Sequence, residues 1–140
     1  METQRPKFTH GQDAGKVALA LWLLVSPWML NYSQVRLAVW NGDAVAIIVA
    51  LSSIAAMLKF NNWEEWISIV AGFWLIASPW LLDYTALLTQ IVTVAPLQRD
   101  VAHFALPIMA NHLAVGLAIV ILSLWEFNVW ERATGKSTKA

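Results

Sequence analysis

The chain has no cysteine. Disulfides, thiolate metal sites and thiol redox chemistry are excluded, and the redox compartment is left unmarked. Charge is scarce too. Charged residues make up 13% of 140 and formal net charge is zero, against roughly a quarter charged in an ordinary soluble domain. No basic face points to nucleic acid. Nor does the sequence carry a nucleophile–base pair, a metal-protease helix or a phosphate loop. Transporters and proton pumps usually place acidic or basic residues near mid-membrane, whereas the polar interior candidates here are chiefly Ser52, Ser53, Ser68 and Ser123.

What is abundant is apolar sequence, 59% of residues, gathered into four blocks at 14–30, 43–58, 63–82 and 105–125. A bilayer core about 30 Å thick needs about 20 mostly apolar helical residues. The pattern predicts an all-α membrane protein with four transmembrane helices. Arg5, Lys7 and Lys16 before the first block resemble a signal-peptide start, but that block ends in Ser-Pro-Trp with no small-x-small cleavage pattern. It reads as a retained span.

One stretch occurs twice. Ser26-Pro27-Trp28-Met29-Leu30-Asn31-Tyr32 returns as Ser78-Pro79-Trp80-Leu81-Leu82-Asp83-Tyr84, 52 residues later, with Trp22 and Trp74 six residues ahead of each motif tryptophan. Proline in a helix removes the amide that would bond the carbonyl four residues back, here that of Leu23 or Leu75. A helical serine hydroxyl reaches a carbonyl three or four residues back, so Ser26 and Ser78 are placed to satisfy the same two carbonyls. Lipid supplies no substitute partner. Trp28 and Trp80 suit the headgroup level, and Tyr32 would share the face of Trp28 if the helix continued. The motif reads as an anchored span end; the competing reading is a ligand-gripping site made by the two copies. Trp22 and Trp74 lie deeper and are expected to meet near a pseudo-axis or to pack symmetrically against neighbours, with ring stacking on a quinone or pigment as the sharper alternative.

The chain divides into a tail at 1–13, a two-helix unit at 14–62, a second at 63–132, and a tail at 133–140. In the link at 31–42, Asn41-Gly42 signals a turn and Asp43 a cap for the next helix. Gly42, Ala46 and Ala50 form a small-residue stripe suited to close helix packing. Lys59, Asn61 and Asn62 mark a tight turn, and Glu64 and Glu65 suit the positive end of the third helix. The second unit carries an outer-face insert at about 85–104, read as a passive interfacial lid or as a binding element. Asn41 and Asn111 are 70 residues apart. An offset of 68 instead pairs the stripe with Ala110, Ala114 and Ala118.

Lysine and arginine set orientation. With both termini on one side, that side holds Arg5, Lys7, Lys16, Lys59, Arg132, Lys136 and Lys139, and the other only Arg36 and Arg99. Cytoplasmic termini follow. Each unit then contains two spans, so the two repeats are parallel.

These features resemble the SPW-repeat family of small bacterial and archaeal membrane proteins, over about residues 14–130. The resemblance implies a four-helix integral membrane protein and brings no activity, substrate or catalytic residue. The residues themselves suggest a non-enzymatic protein working by association with the bilayer, with other membrane subunits or with its own copies, as an accessory or scaffold subunit or a homo-oligomer. Two alternatives remain. His112 could ligate haem or bacteriochlorophyll in a respiratory or photosynthetic subunit, with His103 on the opposite helix face and His10 across the membrane. The bundle could also be a small-molecule carrier or channel. No cofactor is otherwise expected.

Overall fold

The computed structural model describes residues 9–58, 62–84, 86 and 101–133. All regular structure among them is helical: α1 Thr9–Met29, α2 Arg36–Leu58, α3 Asn62–Leu81 and α4 Val101–Ala133. Short connections reverse the chain between α1 and α2 and between α2 and α3. Helix α1 packs on α2 and α4, and α3 packs on the same two, so the helices close a ring around one axis. Two of them are long and apolar enough to cross a membrane, α2 throughout and α4 over Ala105–Asn128.

Several expected boundaries move. Helix α1 begins at Thr9 rather than after residue 13, and α2 begins at Arg36, so Asn41-Gly42 is neither a turn nor followed by a cap at Asp43. Both residues are needed inside the helix for tertiary contacts. Asn41 reaches across to α3, and Gly42 is buried against Leu23 and His112. Local turn preference yields to packing here, as weak propensities do. Asn62 belongs to α3 rather than to a turn, while 59–61 lie outside the described residues. So do 85 and 87–100, which hold most of the expected insert; its last residues, 101–104, form the first turn of α4.

The distribution of apolar side chains is inverted relative to a soluble bundle. Large apolar residues stand exposed on every helix, among them Leu21, Val25, Ile47, Leu51, Val70, Phe73, Leu117 and Ile121. Lys16, Glu65, Glu126, His112 and several serines are buried. Exposed apolar surface on this scale marks contact with an apolar environment. Midway along the axis the interior is apolar, filled by Ala20, Leu23, Val45, Ala46, Val49, Ala71, Leu75, Val115 and Ile119.

Small residues do bring helices together, though only partly those of the expected stripe. Gly42 and Ala46 are buried and Ala50 half-buried, but Ala110 and Ala114 are exposed and Ala118 is half-buried. The offset of 70 is the one that relates buried positions: Gly42 with His112, Val45 with Val115, Ala46 with Gly116, Val49 with Ile119 and Ser53 with Ser123. A 68-residue shift places Ala110 and Ala114 two positions away from that stripe, about 200° round the helix, and so on its outer side. The closest helix approach lies between α3 and α4. A Cβ on Gly72 would fall 3.0 Å from the Gly116 carbonyl oxygen and 2.7 Å from Val120, and one on Gly116 would fall 2.8 Å from the Gly72 oxygen.

Those distances give a directional prediction. Gly116→Ala should destabilise the bundle by about 1–3 kcal/mol through overpacking against backbone. Gly42→Ala, whose added methyl would find its nearest neighbour at 3.7 Å, should be accommodated. Reversible unfolding in mixed detergent micelles distinguishes the two; equal losses would contradict the assigned contact.

Candidate functional site

The motif residues form a folded unit at the end of each first helix. Pro27 and Pro79 lie inside α1 and α3. The Ser26 hydroxyl donates to the Leu23 carbonyl at 3.0 Å, and the Ser78 hydroxyl to that of Leu75 at 3.0 Å. Each orphaned carbonyl is thereby satisfied. The helix does not continue beyond the motif. Asn31 and Asp83 take left-handed backbone, with φ of 59° and 44°, a conformation in which asparagine and aspartate are the best tolerated residues after glycine. The Tyr32 amide donates to the Pro27 carbonyl at 2.9 Å and the Asn31 amide to that of Trp28 at 3.4 Å, the hydrogen-bond pair of a Schellman cap. This cap swings Tyr32 away from the face of Trp28 and back into the bundle. Trp28 and Trp80 remain exposed, while Tyr32 and Tyr84 are buried.

An asparagine from another helix closes each unit. The side-chain amide of Asn111 on α4 donates to the Ser26 hydroxyl at 2.8 Å and to the Tyr32 hydroxyl at 3.0 Å, and its carbonyl accepts the Trp22 indole N–H at 2.9 Å. Ser26 and Tyr32 meet at 2.8 Å. Asn41 on α2 repeats the pattern, donating to Ser78 at 2.9 Å and to Tyr84 at 3.0 Å and accepting from Trp74 at 2.8 Å. Donors and acceptors match without remainder. Each serine donates to its leucine carbonyl and accepts from tyrosine and asparagine, and both amide hydrogens of the asparagine are used. The match also fixes which amide atom is nitrogen, because a flipped amide would turn its NH₂ toward the indole N–H.

Trp22 and Trp74 therefore do not meet at an axis. They lie 43% and 45% exposed at the α1–α4 and α2–α3 seams, each held by an asparagine. The role of Asn41 was hidden in the sequence by its Asn-Gly pairing. Its 70-residue separation from Asn111 was the available signal.

His112 is fully buried between the tyrosines, its ring 6.4 Å from that of Tyr32 and 5.6 Å from that of Tyr84, rather than at a wet helix end. Its Nδ1 lies 2.9 Å from the Ile108 carbonyl oxygen. Its Nε2 is turned toward the α2 backbone, 3.9 Å from where a Cβ of Gly42 would stand. A tetrapyrrole ligand needs that nitrogen to face a cleft wide enough for the macrocycle, and here it faces a packed helix. The site does not fit haem or bacteriochlorophyll. The side chains of His103 and His10 lie outside the described residues. A separate groove of about 520 Å³ opens between α2 and α3, lined by Val45, Ile48, Trp66, Ile67, Val70, Ala71 and Trp74; no histidine borders it.

The opposite end of the bundle holds a feature that the sequence reading did not anticipate. Lys16 on α1 is completely buried, with its ammonium 3.0 Å from Asp13, 2.7 Å from Glu65 on α3 and 3.0 Å from Glu126 on α4. Glu64 and Glu65 do occupy the first turn of α3, but Glu65 is an interior ion-pair partner as well as a dipole-complementing residue. Lys16 likewise holds three carboxyl groups inside the bundle, where it was expected to mark the cytoplasmic surface. No helical periodicity announces such a site, because its members come from three helices. Asp13, Glu65 and Glu126 place one oxygen each within 4.8 Å of one another. Those oxygens surround the Lys16 ammonium, which stands where a metal ion would.

The two asparagine units share no hydrogen-bond partner, though the His112 ring stands between their tyrosines, so their contributions should add to within about 1 kcal/mol. Asn111→Ala and Asn41→Ala are each expected to cost about 1–3 kcal/mol, by leaving buried hydroxyl and indole groups short of a partner. The double variant should cost the sum. Unfolding midpoints of the three variants check this, and an effect confined to one asparagine would contradict the equivalence of the two units.

A family model described as SPW repeat domain matches residues 10–97. Searches of curated proteins and of solved structures found no match. The family match takes in both Ser-Pro-Trp copies and helices α1 to α3. It ends before α4, short of the residue 130 or so to which the resemblance was expected to reach. Covering more than half of the chain and centred on its duplicated motif, it shows that this protein belongs to the SPW repeat family.

Proposed function

We propose that this protein is a non-enzymatic, four-span component of a bacterial cytoplasmic membrane, built as two parallel two-helix repeats and acting by lateral association. The observation that carries the reading is the apolar exterior. All four helices, not α2 and α4 alone, present large apolar side chains outward. The polar residues that lower the hydropathy of α1 and α3 are largely turned inward: Asp13, Lys16, Ser26, Glu64, Glu65, Ser68 and Ser78 are buried. Such helices suit lipid on the outside even though their sequences are less uniformly apolar. The reciprocal asparagine contacts support a parallel repeat, since the second helix of each unit grips the first helix of the other. With Lys16 left out, the order of the chain still assigns six lysines and arginines to the side of the termini and two, Arg36 and Arg99, to the other. That balance favours cytoplasmic termini.

Association is supported by the groove between α2 and α3, which opens sideways into the surroundings and is lined almost entirely by apolar groups. Membrane helices gain from fitting such surfaces together through van der Waals packing. The occupant we favour is another membrane helix, from an accessory-complex partner or a second copy. An open channel finds no support, because the axis is filled by the aliphatic layer around Leu23, Val49, Leu75 and Ile119.

Gentle solubilisation from native membranes followed by size analysis and mass spectrometry tests the proposal. A homo-oligomer or a fixed set of membrane subunits is expected, and Val70→Trp, which fills the groove, should weaken the assembly without unfolding the protein. A partnerless monomer that remains so in bilayer nanodiscs would overturn it.

A further inference from the structure

The charge site has no part in lateral association, and it is not a product of the duplication. At the 52-residue offset Lys16 corresponds to Ser68, and at the 70-residue offset Glu126 corresponds to Ala56. The asparagine units occur twice, but this site occurs once. It joins α1, α3 and α4, and its four side chains are all at least 98% buried.

Among the described residues its charge does not balance. Three carboxylates and one ammonium sum to −2, and a buried net charge is strongly unfavourable. The ammonium donates hydrogen bonds to Glu65 and Glu126 and stands 3.0 Å from Asp13 Oδ1, which has no hydrogen-bond donor among the described residues. The second oxygens, Glu65 Oε2 and Glu126 Oε1, are buried and meet no hydrogen-bond donor among the described residues. One turn from Glu126, on the same face of α4, the Ser123 hydroxyl is also fully buried and has no partner there. Ser53, related to Ser123 by the 70-residue offset, is in the same condition. Ser68, one turn from Glu65, already contacts Ser52 at 3.2 Å. The two carboxyl oxygens point to a missing hydrogen, whereas each serine hydroxyl carries its own. A metal ion is disfavoured because the Lys16 ammonium already stands among the carboxyl oxygens. Two carboxyl groups this close resist ionising together, and one added proton turns an orphan acceptor into a donor while lowering the buried charge by one.

We propose that Glu126, beside the Glu65 carboxylate, is a proton-binding site whose one exchangeable proton, together with the Lys16 ammonium, brings the buried charge from −2 to −1. The charged groups around it are Asp13 and Lys16 from α1 and, next to Glu65 in sequence, the buried Glu64 of α3; α2 contributes Ser52, which contacts Ser68 one turn from Glu65. The proton secures the junction of α1, α3 and α4. Its removal at alkaline pH returns the site to −2 and loosens that end of the bundle.

The test is infrared difference spectroscopy on the full chain in nanodiscs, comparing mildly acidic with alkaline buffer in H₂O and D₂O. The wild-type protein should show a carboxylic-acid C=O band that shifts in D₂O and disappears on alkalinisation. The Glu65→Gln/Glu126→Gln variant should lack it. Glu126→Gln, which mimics the protonated acid, should retain its thermal midpoint at alkaline pH, where that of the wild type falls. Absence of the band in the wild type overturns the proposal, and so does its persistence in the double variant. A band that responds to sodium at fixed pH also overturns it, because the site would then hold a cation. The wild-type spectrum alone decides the matter if a variant fails to fold.

Discussion

A buried carbonyl oxygen must find a hydrogen, and proline takes one away. The architecture follows from how this chain meets that constraint at Pro27 and Pro79. Serine immediately before proline satisfies the orphaned carbonyl locally. Once its hydrogen is committed, the serine oxygen can only accept, and it gathers tyrosine and asparagine around it. The tyrosine arrives through a left-handed residue that ends the helix, and the asparagine comes from a neighbouring helix. A backbone requirement on one residue thus becomes a tertiary contact. Its repetition places α4 against α1 and α2 against α3 by the same chemistry, while Gly72 and Gly116 set how closely α3 and α4 approach.

The bundle has three interior layers of different character. Hydrogen-bonded side chains occupy the motif end, aliphatic side chains the middle, and charges the end containing Lys16. In the first layer the serine, tyrosine, asparagine and tryptophan groups are neutral and paired with one another, so they favour one arrangement of helices without electrostatic cost. The charged layer is different. A buried ion pair contributes little net stability against a well-packed apolar alternative, but removing one partner is costly. Asp13, Lys16, Glu65 and Glu126 therefore make the junction of α1, α3 and α4 sensitive to the loss of any one of them.

Much of the fold was legible because its signals are local. The helical blocks, the motif duplication, the serine-to-carbonyl bonds and the family could be read from short spacings. What escaped depends on contacts across helices. Asn41 beside Gly42 has the local chemistry of a turn, yet Asn41 belongs to a helix because Ser78, Tyr84 and Trp74 require it there. Tyr32 was expected to extend a helical face, but Asn31 in left-handed backbone redirects it. The offset of 68 matched residue size, whereas the offset of 70 matched burial, and only burial knows which side of a helix faces in. Lys16 carried the same misdirection. A lysine near the start of an apolar run ordinarily lies at the membrane surface, and nothing within its own helix says that Glu65 and Glu126 await it inside.

The central claim is that all four helices turn apolar faces to lipid and keep their polar groups within. The absence of cysteine makes single-cysteine spin labelling direct. Labels at Leu21 and Val25 on α1, Ile47 and Leu51 on α2, Val70 and Phe73 on α3, and Leu117 and Ile121 on α4 would be examined in bilayers for relaxation by oxygen and by a water-soluble nickel chelate. Dominant relaxation by oxygen at every position is the result predicted. Dominant relaxation by the chelate along α1 or α3 would contradict the account, leaving only α2 and α4 in the membrane.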